Sequence, residues 1–291
     1  MYYIGIDGGG TKTAFGLFDE NGNCIDYYEL STCHFLQVGF EGCANCLKEG
    51  IIFITEKHQL SPEEIKIGIG IAGYGADENI RHQLEEAIHY QLSKYNYAIT
   101  NDMHIALLGA LSGNDGIAVV AGTGAIAMAQ CQNKLYRCGG WGYQLGDEGS
   151  AYWIGKQMLS YFCKQADGRL EKDEIYFSIM NEYHLTNPYQ LINVVNQFEN
   201  QRTSVAKLSL LCSSIDNEIC QSILVEAAKH IASLAIHLTG YYKEKPLITF
   251  YGGVFKNKIF KETFLNELKD YHIIEPQQNA LYGAYYFIKN K

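Results

Sequence analysis

Short apolar runs separated by glycine turns open the chain and return near its middle. Residues 1–8 and 13–18 flank Gly8-Gly9-Gly10, and Asn21-Gly22 then separates a third run. Asn-Gly between apolar segments is a strong hairpin signal. Residues 116–128 repeat the pattern around a Gly-Thr-Gly turn. The sequence therefore predicts two copies of a strand–turn–strand unit, as in a pseudo-symmetric pair of lobes.

Between these copies the apolar positions follow helical and strand spacing in alternation, which is typical of a doubly wound α/β fold. The predicted elements are a helix around residues 42–57, a strand at 65–73, a helix at 77–92, a strand at 97–100 and a helix at 103–111. The helix at 77–92 has Asp77 as its predicted cap and apolar residues at helical spacing, namely Ile80, Leu84, Ile88 and Leu92. The turn-rich residues 112–116 form the predicted joint. We expect an N-terminal lobe at residues 1–112 and a C-terminal lobe at 113–291, connected by a stiff hinge.

The second lobe is predicted to carry a mostly helical insert at residues 150–238. A strand at 247–251, a helix with its apolar face on Ile259, Phe260 and Phe264, and a final helix at 280–288 complete it.

The first glycine turn has the chemistry of a phosphate site. Glycines let backbone N–H groups approach an anion closely, hydroxyls can bond phosphate oxygens, and a neighbouring carboxylate, Asp7, can hold a divalent ion. A strand follows the glycines, so the Walker loop and the dinucleotide fingerprint, which both enter a helix, are excluded. A glycine hairpin without a ligand is the alternative for this segment taken alone. The predicted phosphate-binding residues are Gly8, Gly9, Gly10, Thr11 and Lys12.

Two more glycine segments strengthen the nucleotide interpretation. Gly122, Thr123 and Gly124 form the second predicted phosphate turn, for which two ordinary hairpins are the alternative. A strand then leads into Gly252-Gly253 and an amphipathic helix, a turn on which an adenine ring can lie. We expect Gly252, Gly253 and Asn257 to contact the nucleotide.

These segments together resemble the sugar kinase–actin–Hsp70 ATPase fold. Residues 138–154 (Cys-Gly-Gly-Trp-Gly-Tyr-Gln-Leu-Gly-Asp-Glu-Gly-Ser-Ala-Tyr-Trp-Ile) are similar to the sugar loop of N-acetylglucosamine kinases in the BadF/BadG/BcrA/BcrD ATPase family, as are residues 30–36, 100–102 and 276–284. The resemblance implies a two-lobe, ribonuclease H-like α/β fold with mixed sheets flanked by helices and an active site in the cleft between the lobes. It also implies ATP with Mg²⁺, a homodimer, and packing of the final helix across the lobe joint.

The same resemblance assigns residue roles. Asp102, where a strand ends and a helix begins, is the expected catalytic base and also a sugar contact; a simple helix N-cap is the alternative. Asp7 is the expected Mg²⁺ ligand, through water. The other expected sugar contacts are Cys33, His34, Gly140, Trp141, Gly142 and Asp147. Cys33 departs from the family, which has Asn there, so its contact and the sugar preference are open.

Composition narrows the class of protein. The chain has 291 residues, 47% hydrophobic and 19% charged, with a net charge of −9, which argues against nucleic-acid and anionic-membrane partners. No apolar run looks long enough to span a membrane, the longest being broken at residues 122–124. Nine scattered cysteines and a strand directly after Met1 indicate a cytoplasmic protein.

The sequence thus predicts an ATP-dependent kinase that phosphorylates an amino sugar, foremost N-acetylglucosamine, at the C6 hydroxyl. An N-acetylmuramate or glucosamine kinase is the alternative within the same class. An ATPase that activates a partner enzyme is the alternative from another class. Such activators carry an iron–sulfur cluster, but Cys43 and Cys46 form a lone pair on a predicted helix, which favours structural thiols. A sugar-sensing regulator is disfavoured because it would need a DNA-binding segment, and no helix-turn-helix precedes residues 1–3.

Overall fold

Two five-stranded mixed sheets, each flanked by helices, organise the chain. The computed structural model describes residues 1–75 and 77–291. These residues form two units: unit 1 contains Met1–Gly116 and Glu275–Lys291, and unit 2 contains Ile117–Ile274. The α/β class predicted from the sequence is therefore found in both units.

The strand order is the same in both sheets. Unit 1 has the order β3-β2-β1-β4-β5, and unit 2 has β10-β9-β6-β7-β8, which is the same arrangement when each unit's strands are counted from its own start. In unit 1, β2 is antiparallel to β1 and β3, whereas β4 is parallel to β1 and β5. The predicted internal repeat is thus visible as a shared topology. The strands are β1 (Tyr2–Gly8), β2 (Lys12–Phe18), β3 (Cys24–Ser31), β4 (Ile65–Ile71), β5 (Asn96–Asn101), β6 (Gly116–Ala121), β7 (Ala125–Cys131), β8 (Lys134–Gly139), β9 (Leu247–Tyr251) and β10 (His272–Ile273).

Ten helices accompany these strands in the described part of the chain, and five of them, α4 to α8, form the predicted insert of unit 2. They are α1 (Phe35–His58), α2 (Glu78–Leu92), α3 (Asp102–Ala110), α4 (Ala151–Ala166), α5 (Glu174–Glu182), α6 (Gln190–Asn196), α7 (Gln201–Ser214), α8 (Glu218–Thr239), α9 (Lys258–Glu267) and α10 (Ala280–Lys289). Short 3₁₀ turns occupy Pro62–Glu64 and Gly253–Lys256.

Local sequence signals explain these helices. Asp77 caps α2 as predicted, because its carboxylate accepts from the backbone N–H groups of Asn79 and Ile80 at 3.0 and 3.1 Å. The predicted apolar positions Leu84 and Ile88 are fully buried in the unit 1 core. Helix α1 begins earlier than predicted, at Phe35, with a break at Gly39, where φ is +72°.

The final helix, α10, belongs to unit 1, so residues 275–291 leave the lobe to which the sequence assigned them. Helix α10 lies against β1 and β4, whose residues at the contact are glycines. A Cβ atom at Gly68 would clash with the carbonyl oxygen of Ala284, and one at Gly5 would clash with that of Leu281. These glycines let α10 lie directly on β1 and β4.

Helix α8 is apolar enough to need comment. Its 22 residues include a window of mean hydropathy 1.3, which by length and composition alone would suffice to cross a membrane. The prediction that no apolar run is long enough to span a membrane is therefore wrong for α8. Ile223, Ala227, Ile231 and Ala235 of α8 are buried in the core of unit 2, and that packing accounts for its apolar character.

Candidate active site

The first glycine turn, between β1 and β2, is fixed from one side. The Thr32 hydroxyl donates to the carbonyl oxygen of Gly9 at 2.8 Å, and the Gln37 amide donates to that of Gly10 at 2.7 Å. Since the C=O and N–H of a peptide plane point in opposite directions, the N–H groups of Gly10 and Thr11 face away from these anchors. Gly10 and Thr11 are exposed. The turn therefore presents backbone donors, as a phosphate site requires.

Lys12, the last residue assigned to this turn, lies at the start of β2. Its ammonium group forms an ion pair with Glu29, which also accepts from the Tyr27 hydroxyl. The Lys12 side chain is 60% exposed. The Lys12 charge is therefore paired with Glu29 on the neighbouring strand β3, and not directed to the glycine turn.

Asp102 is the first residue of α3, and it is not the helix cap. Asn101 caps α3, its side-chain oxygen accepting from the His104 N–H at 2.7 Å. Asp102 Oδ1 accepts from the Met103 N–H at 2.9 Å, and no other side chain forms a hydrogen bond to this carboxylate among residues 1–75 and 77–291. The N-cap alternative for Asp102 is therefore wrong, and the carboxylate is available to a ligand.

Asp7 lies at the same sheet edge as Asp102. Asp7 pairs in register with Gly70 on β4, and Gly70 pairs with Thr100 on β5, two residues before Asp102. Burial, and then the charge of Asp102, raise the pKa of Asp7 above its usual range. Burial also raises the pKa of Asp102, against the effect of the Met103 N–H. Two half-buried carboxylates at one edge create an excess of negative charge that a cation would offset.

These carboxylates fit Mg²⁺. In nucleotide sites this ion uses one or two carboxylates and takes its other ligands from phosphates and water. The described residues contain no cluster of three or more metal-binding side chains, so an all-protein cage is not formed here. Asp7 suits the predicted role of a ligand acting through water.

Cys33 lies where a sugar cannot reach it in this structure. Its exposed fraction is 0%, and it belongs to the unit 1 core. A Cβ atom at Gly8 would lie 2.6 Å from the Cys33 sulfur, so the thiol packs directly behind the glycine turn. The side chain that replaces the family Asn therefore has a packing role, and the expected sugar contact has no surface to act on.

His34 is half-exposed beside that core. Its Nδ1 accepts from the Leu36 N–H at 3.3 Å, which makes it the N-cap of α1, and its ring stacks on Phe35 with centroids 5.2 Å apart. A Cβ atom at Gly73 would lie 3.6 Å from Nε2. Because Nδ1 accepts, Nε2 carries the proton and can donate to a ligand.

In unit 2 the second glycine turn is also held from one side. Gly122 N–H donates to the Gly124 carbonyl at 2.9 Å, closing the turn between β6 and β7. The Ala151 and Tyr152 N–H groups at the start of α4 donate to the carbonyls of Gly122 and Thr123, at 2.8 and 3.3 Å. The residues that follow the sugar loop thus anchor the second turn.

The third glycine segment packs directly on the strand that leads into this turn. Gly252 has φ +114°, and a Cβ atom there would clash with the carbonyl group of Ala121. Gly253, by contrast, has no atom within 4 Å of its Cβ position. The predicted adenosine turn and second phosphate turn are therefore neighbours within unit 2.

A cavity of about 810 Å³ joins these two segments. Gly122 and Thr123 line it together with Gly253 and Asn257, and Asn257 also caps α9 by accepting from the Phe260 N–H at 3.1 Å. Helix α7 forms another wall of the cavity. This role was not predicted, because the residue pattern of α7 indicates only an amphipathic helix. The α7 residues in this wall are Thr203, Ala206, Lys207, Ser209, Leu210 and Ser213.

The predicted sugar loop turns on glycines with positive φ, among them Gly140 (+73°) and Gly142 (+86°). Between them, Trp141 is 70% exposed, an unusual state for so large an apolar side chain. The Arg137 guanidinium lies 5.4 Å from the ring centroid and donates to the Gly140 carbonyl at 2.6 Å. One face of Trp141 is thus braced, and the residue is free to cover an apolar sugar face.

Asp147, at the end of this loop, is 4% exposed and has φ +62°. Its Oδ2 pairs with the Arg202 guanidinium at 3.3 Å, and both groups lie over Gly124. The Arg202 contact is made to Oδ2 and not to Oδ1. Arg202 was not predicted, because nothing in the sequence marks it.

The comparisons with known proteins agree with this geometry. The model of the BadF/BadG/BcrA/BcrD ATPase family matches residues 4–287. The chain is 30% identical over 307 residues to an N-acetylmuramic acid/N-acetylglucosamine kinase of Clostridium acetobutylicum, covering 97% of this chain and 96% of the relative. It is 28% identical over 298 residues to an N-acetyl-D-glucosamine kinase of Dictyostelium discoideum, covering 96% and 92%.

Among solved structures, a candidate N-acetylglucosamine kinase from Chromobacterium violaceum is similar in fold. The TM-score is 0.72 at 23% identity, with 97% of each chain covered. This likeness confirms the predicted fold class, and at this identity it bears on the fold alone.

Proposed function

Because the chain belongs to the BadF/BadG/BcrA/BcrD ATPase family, we propose that it is an ATP-dependent kinase that phosphorylates an amino sugar, with N-acetylglucosamine as the preferred substrate and its C6 hydroxyl as the acceptor. Both relatives described above are named as kinases of N-acetylated amino sugars, and each aligns along nearly its whole length.

The observation that carries the proposal is the cavity of unit 2. Two glycine segments about 130 residues apart in the sequence line one space of about 810 Å³. That volume suits a nucleotide-sized ligand. Exposed Lys207, Lys256 and Lys258 contribute positive charge to its wall, in a chain whose net charge is −9. We propose that ATP is bound by residues 122–124, 252, 253 and 257, of which Gly122, Thr123, Gly253 and Asn257 line this cavity.

Phosphoryl transfer then depends on positioning and charge. The N–H groups of the first glycine turn bind phosphate oxygens, and Asp102 accepts the proton of the attacking sugar hydroxyl. Asp7 would hold Mg²⁺ through water, and the bound ion would supply positive charge to the phosphates. In unit 2, Trp141 is proposed to cover the apolar face of the sugar and Asp147 to bond its polar groups. In unit 1, His34 Nε2 is the proposed donor to a sugar hydroxyl or acetamido group.

Two alternative substrates and one alternative class of protein can be distinguished from this proposal by experiment. N-acetylmuramate is favoured as a second substrate because the Clostridium relative is named as a kinase of both N-acetylmuramic acid and N-acetylglucosamine. Glucosamine is the remaining alternative. Against the activator alternative, Cys43 is fully buried in the core of unit 1, which suits a structural thiol. A cytoplasmic homodimer is part of the proposal and is testable by size-exclusion chromatography with light scattering.

The test is a coupled assay of ADP release with N-acetylglucosamine, N-acetylmuramate, glucosamine, N-acetylmannosamine and glucose, each with Mg²⁺ and with EDTA. We expect strong stimulation by one amino sugar, N-acetylglucosamine first, and loss of turnover with EDTA. Mass spectrometry of the product locates the phosphate. Equal ADP release with and without every sugar would reject the kinase and favour the activator.

A further inference from the structure

We infer that Arg202 is a positioning residue, which holds Asp147 for the sugar and ties the sugar loop to the helix that walls the nucleotide cavity. This inference rests on the proposed function, since it assigns Asp147 to the sugar site. Arg202 lies on α7, 55 residues after Asp147 in the sequence.

The first support is the state of Asp147. The residue has φ +62°, in the left-handed region that Gly, Asn and Asp adopt more readily than other residues. Its carboxylate is almost entirely buried, and the Arg202 contact at 3.3 Å is its single ion pair within residues 1–75 and 77–291. A buried charged pair of this kind is held in one geometry. Arg202 therefore fixes the orientation of the Asp147 carboxylate.

The second support is the shape of the second glycine turn. A Cβ atom at Gly124 would lie 2.6 Å from Asp147 Oδ2 and would clash with the Arg202 guanidinium. The absence of a side chain at residue 124 thus makes room for the ion pair directly over the turn. Arg202, Asp147 and the second phosphate turn form one packed unit.

The third support is what the pair leaves unsatisfied. Arg202 Nε is buried and has no hydrogen-bond partner in the described part of the chain, and the Arg202 contact to Asp147 is made to Oδ2 rather than Oδ1. Arginine has five N–H donors, so it can hold the carboxylate and still meet a second acceptor. A sugar hydroxyl that donates to Oδ1 would complete the carboxylate without displacing Arg202.

Helix α7 connects this pair to the nucleotide. The next residue, Thr203, and Lys207, one turn further on, line the 810 Å³ cavity. Movement of α7 when a nucleotide binds would therefore shift Arg202 and, through it, Asp147.

The test compares Arg202→Gln and Arg202→Lys with wild type in steady-state kinetics and in calorimetric sugar binding without nucleotide. We expect Arg202→Gln to raise the sugar KM and Kd by about tenfold or more, the scale of a lost charged hydrogen bond. The ATP KM should stay within about threefold, and Arg202→Lys should recover part of the sugar affinity. Arg169→Gln is the matched control, because Arg169 pairs with Asp167 at 2.6 Å on the same unit and lines no part of the cavity.

The outcomes separate this inference from the proposed function. An active wild type whose sugar KM and Kd change less than twofold in Arg202→Gln overturns the inference alone. A wild type that no sugar stimulates overturns the proposed function as well. If Arg202→Gln does not fold, as shown by its melting curve, the sugar KM and Kd of Arg202→Lys decide: a rise supports the inference, and wild-type values reject it.

Discussion

The sulfur of Cys33 packs against Gly8, at a distance where a Cβ atom on residue 8 would come within 2.6 Å of it. Cys46 extends the same cluster, its sulfur lying 3.7 Å from the Thr13 hydroxyl. Thiols thus fill the space behind the first phosphate turn. At the position where the resemblance predicts a polar Asn, this chain has a residue that supports the turn by packing.

Replacement of Cys33 by Asn should therefore destabilise the protein without changing which sugar it prefers. The larger amide would have to fit a fully buried space that a thiol fills, and such overpacking costs about 1–3 kcal/mol. Chemical denaturation measures the free energy of unfolding, and kcat/KM for the five sugars measures preference. Cys33→Ala is the control for packing alone. A shift in preference toward N-acetylglucosamine with unchanged stability would restore Cys33 to the sugar pocket.

Alkylation provides a second readout of the same thiol. Mapped by mass spectrometry, native Cys33 should stay unmodified with or without sugar, whereas exposed Cys24 and Cys163 react and serve as internal controls. Rapid labelling of Cys33 that sugar suppresses would contradict its buried position.

The adjacent glycines of the adenosine turn should respond differently to alanine. Gly252→Ala adds a methyl group against the Ala121 carbonyl at φ +114°, and we expect a loss of about 3 kcal/mol in the free energy of unfolding. Gly253→Ala adds its methyl group to open space beside the cavity. It should fold like wild type and raise the ATP KM. Equal stability of the two variants would contradict the close approach of Gly252 to Ala121.

Much of this fold was predictable because its signals are local. Apolar alternation with glycine turns predicted both hairpins, and the spacing of Leu84 and Ile88 behind Asp77 predicted α2 with its cap. Asp102 was predictable from its position between a strand and a helix, and Asn101 beside it shows why its carboxylate is not used in capping.

The features that were missed depend on contacts between distant residues. Gly68 and Gly5 read as ordinary strand residues until α10 is seen against them. In the sequence, Arg202 is an ordinary charged residue of an amphipathic helix. Its ion pair with Asp147 becomes apparent only in the folded structure. The burial of Cys33 likewise follows from packing against Gly8, which neither composition nor periodicity records.

Asp102→Asn should lower turnover by orders of magnitude while ATP and sugar still bind. The amide keeps the shape of the side chain but cannot accept the proton, so the loss falls on kcat. The same change should stabilise the fold by about 0.5–2 kcal/mol, because it removes a buried charge beside Asp7. Asp77→Asn, at a cap that Asn also satisfies, is the matched control and should leave both kcat and stability near wild type. A kcat within a few-fold of wild type in Asp102→Asn would remove Asp102 from the role of base.

Asp26 gives a prediction on pH and stability that is independent of function. Hydrogen bonds from Lys57 and His58, at 2.7 and 2.8 Å, lower the pKa of Asp26 from 3.8 to about 2. A carboxylate with a lowered pKa in the folded state stabilises the protein above its ordinary pKa, and that stabilisation is lost as the pH falls through about 2. Asp26→Asn should therefore cost about 1–2 kcal/mol at pH 7, after allowance for the exposed Lys57, with the difference from wild type shrinking below pH 4. Urea denaturation across this pH range measures it, with Asp167→Asn, at an exposed pair with Arg169, as the control that changes little at any pH. A cost that stays constant from pH 7 to pH 3 would show that Asp26 acts through packing and not through its charge.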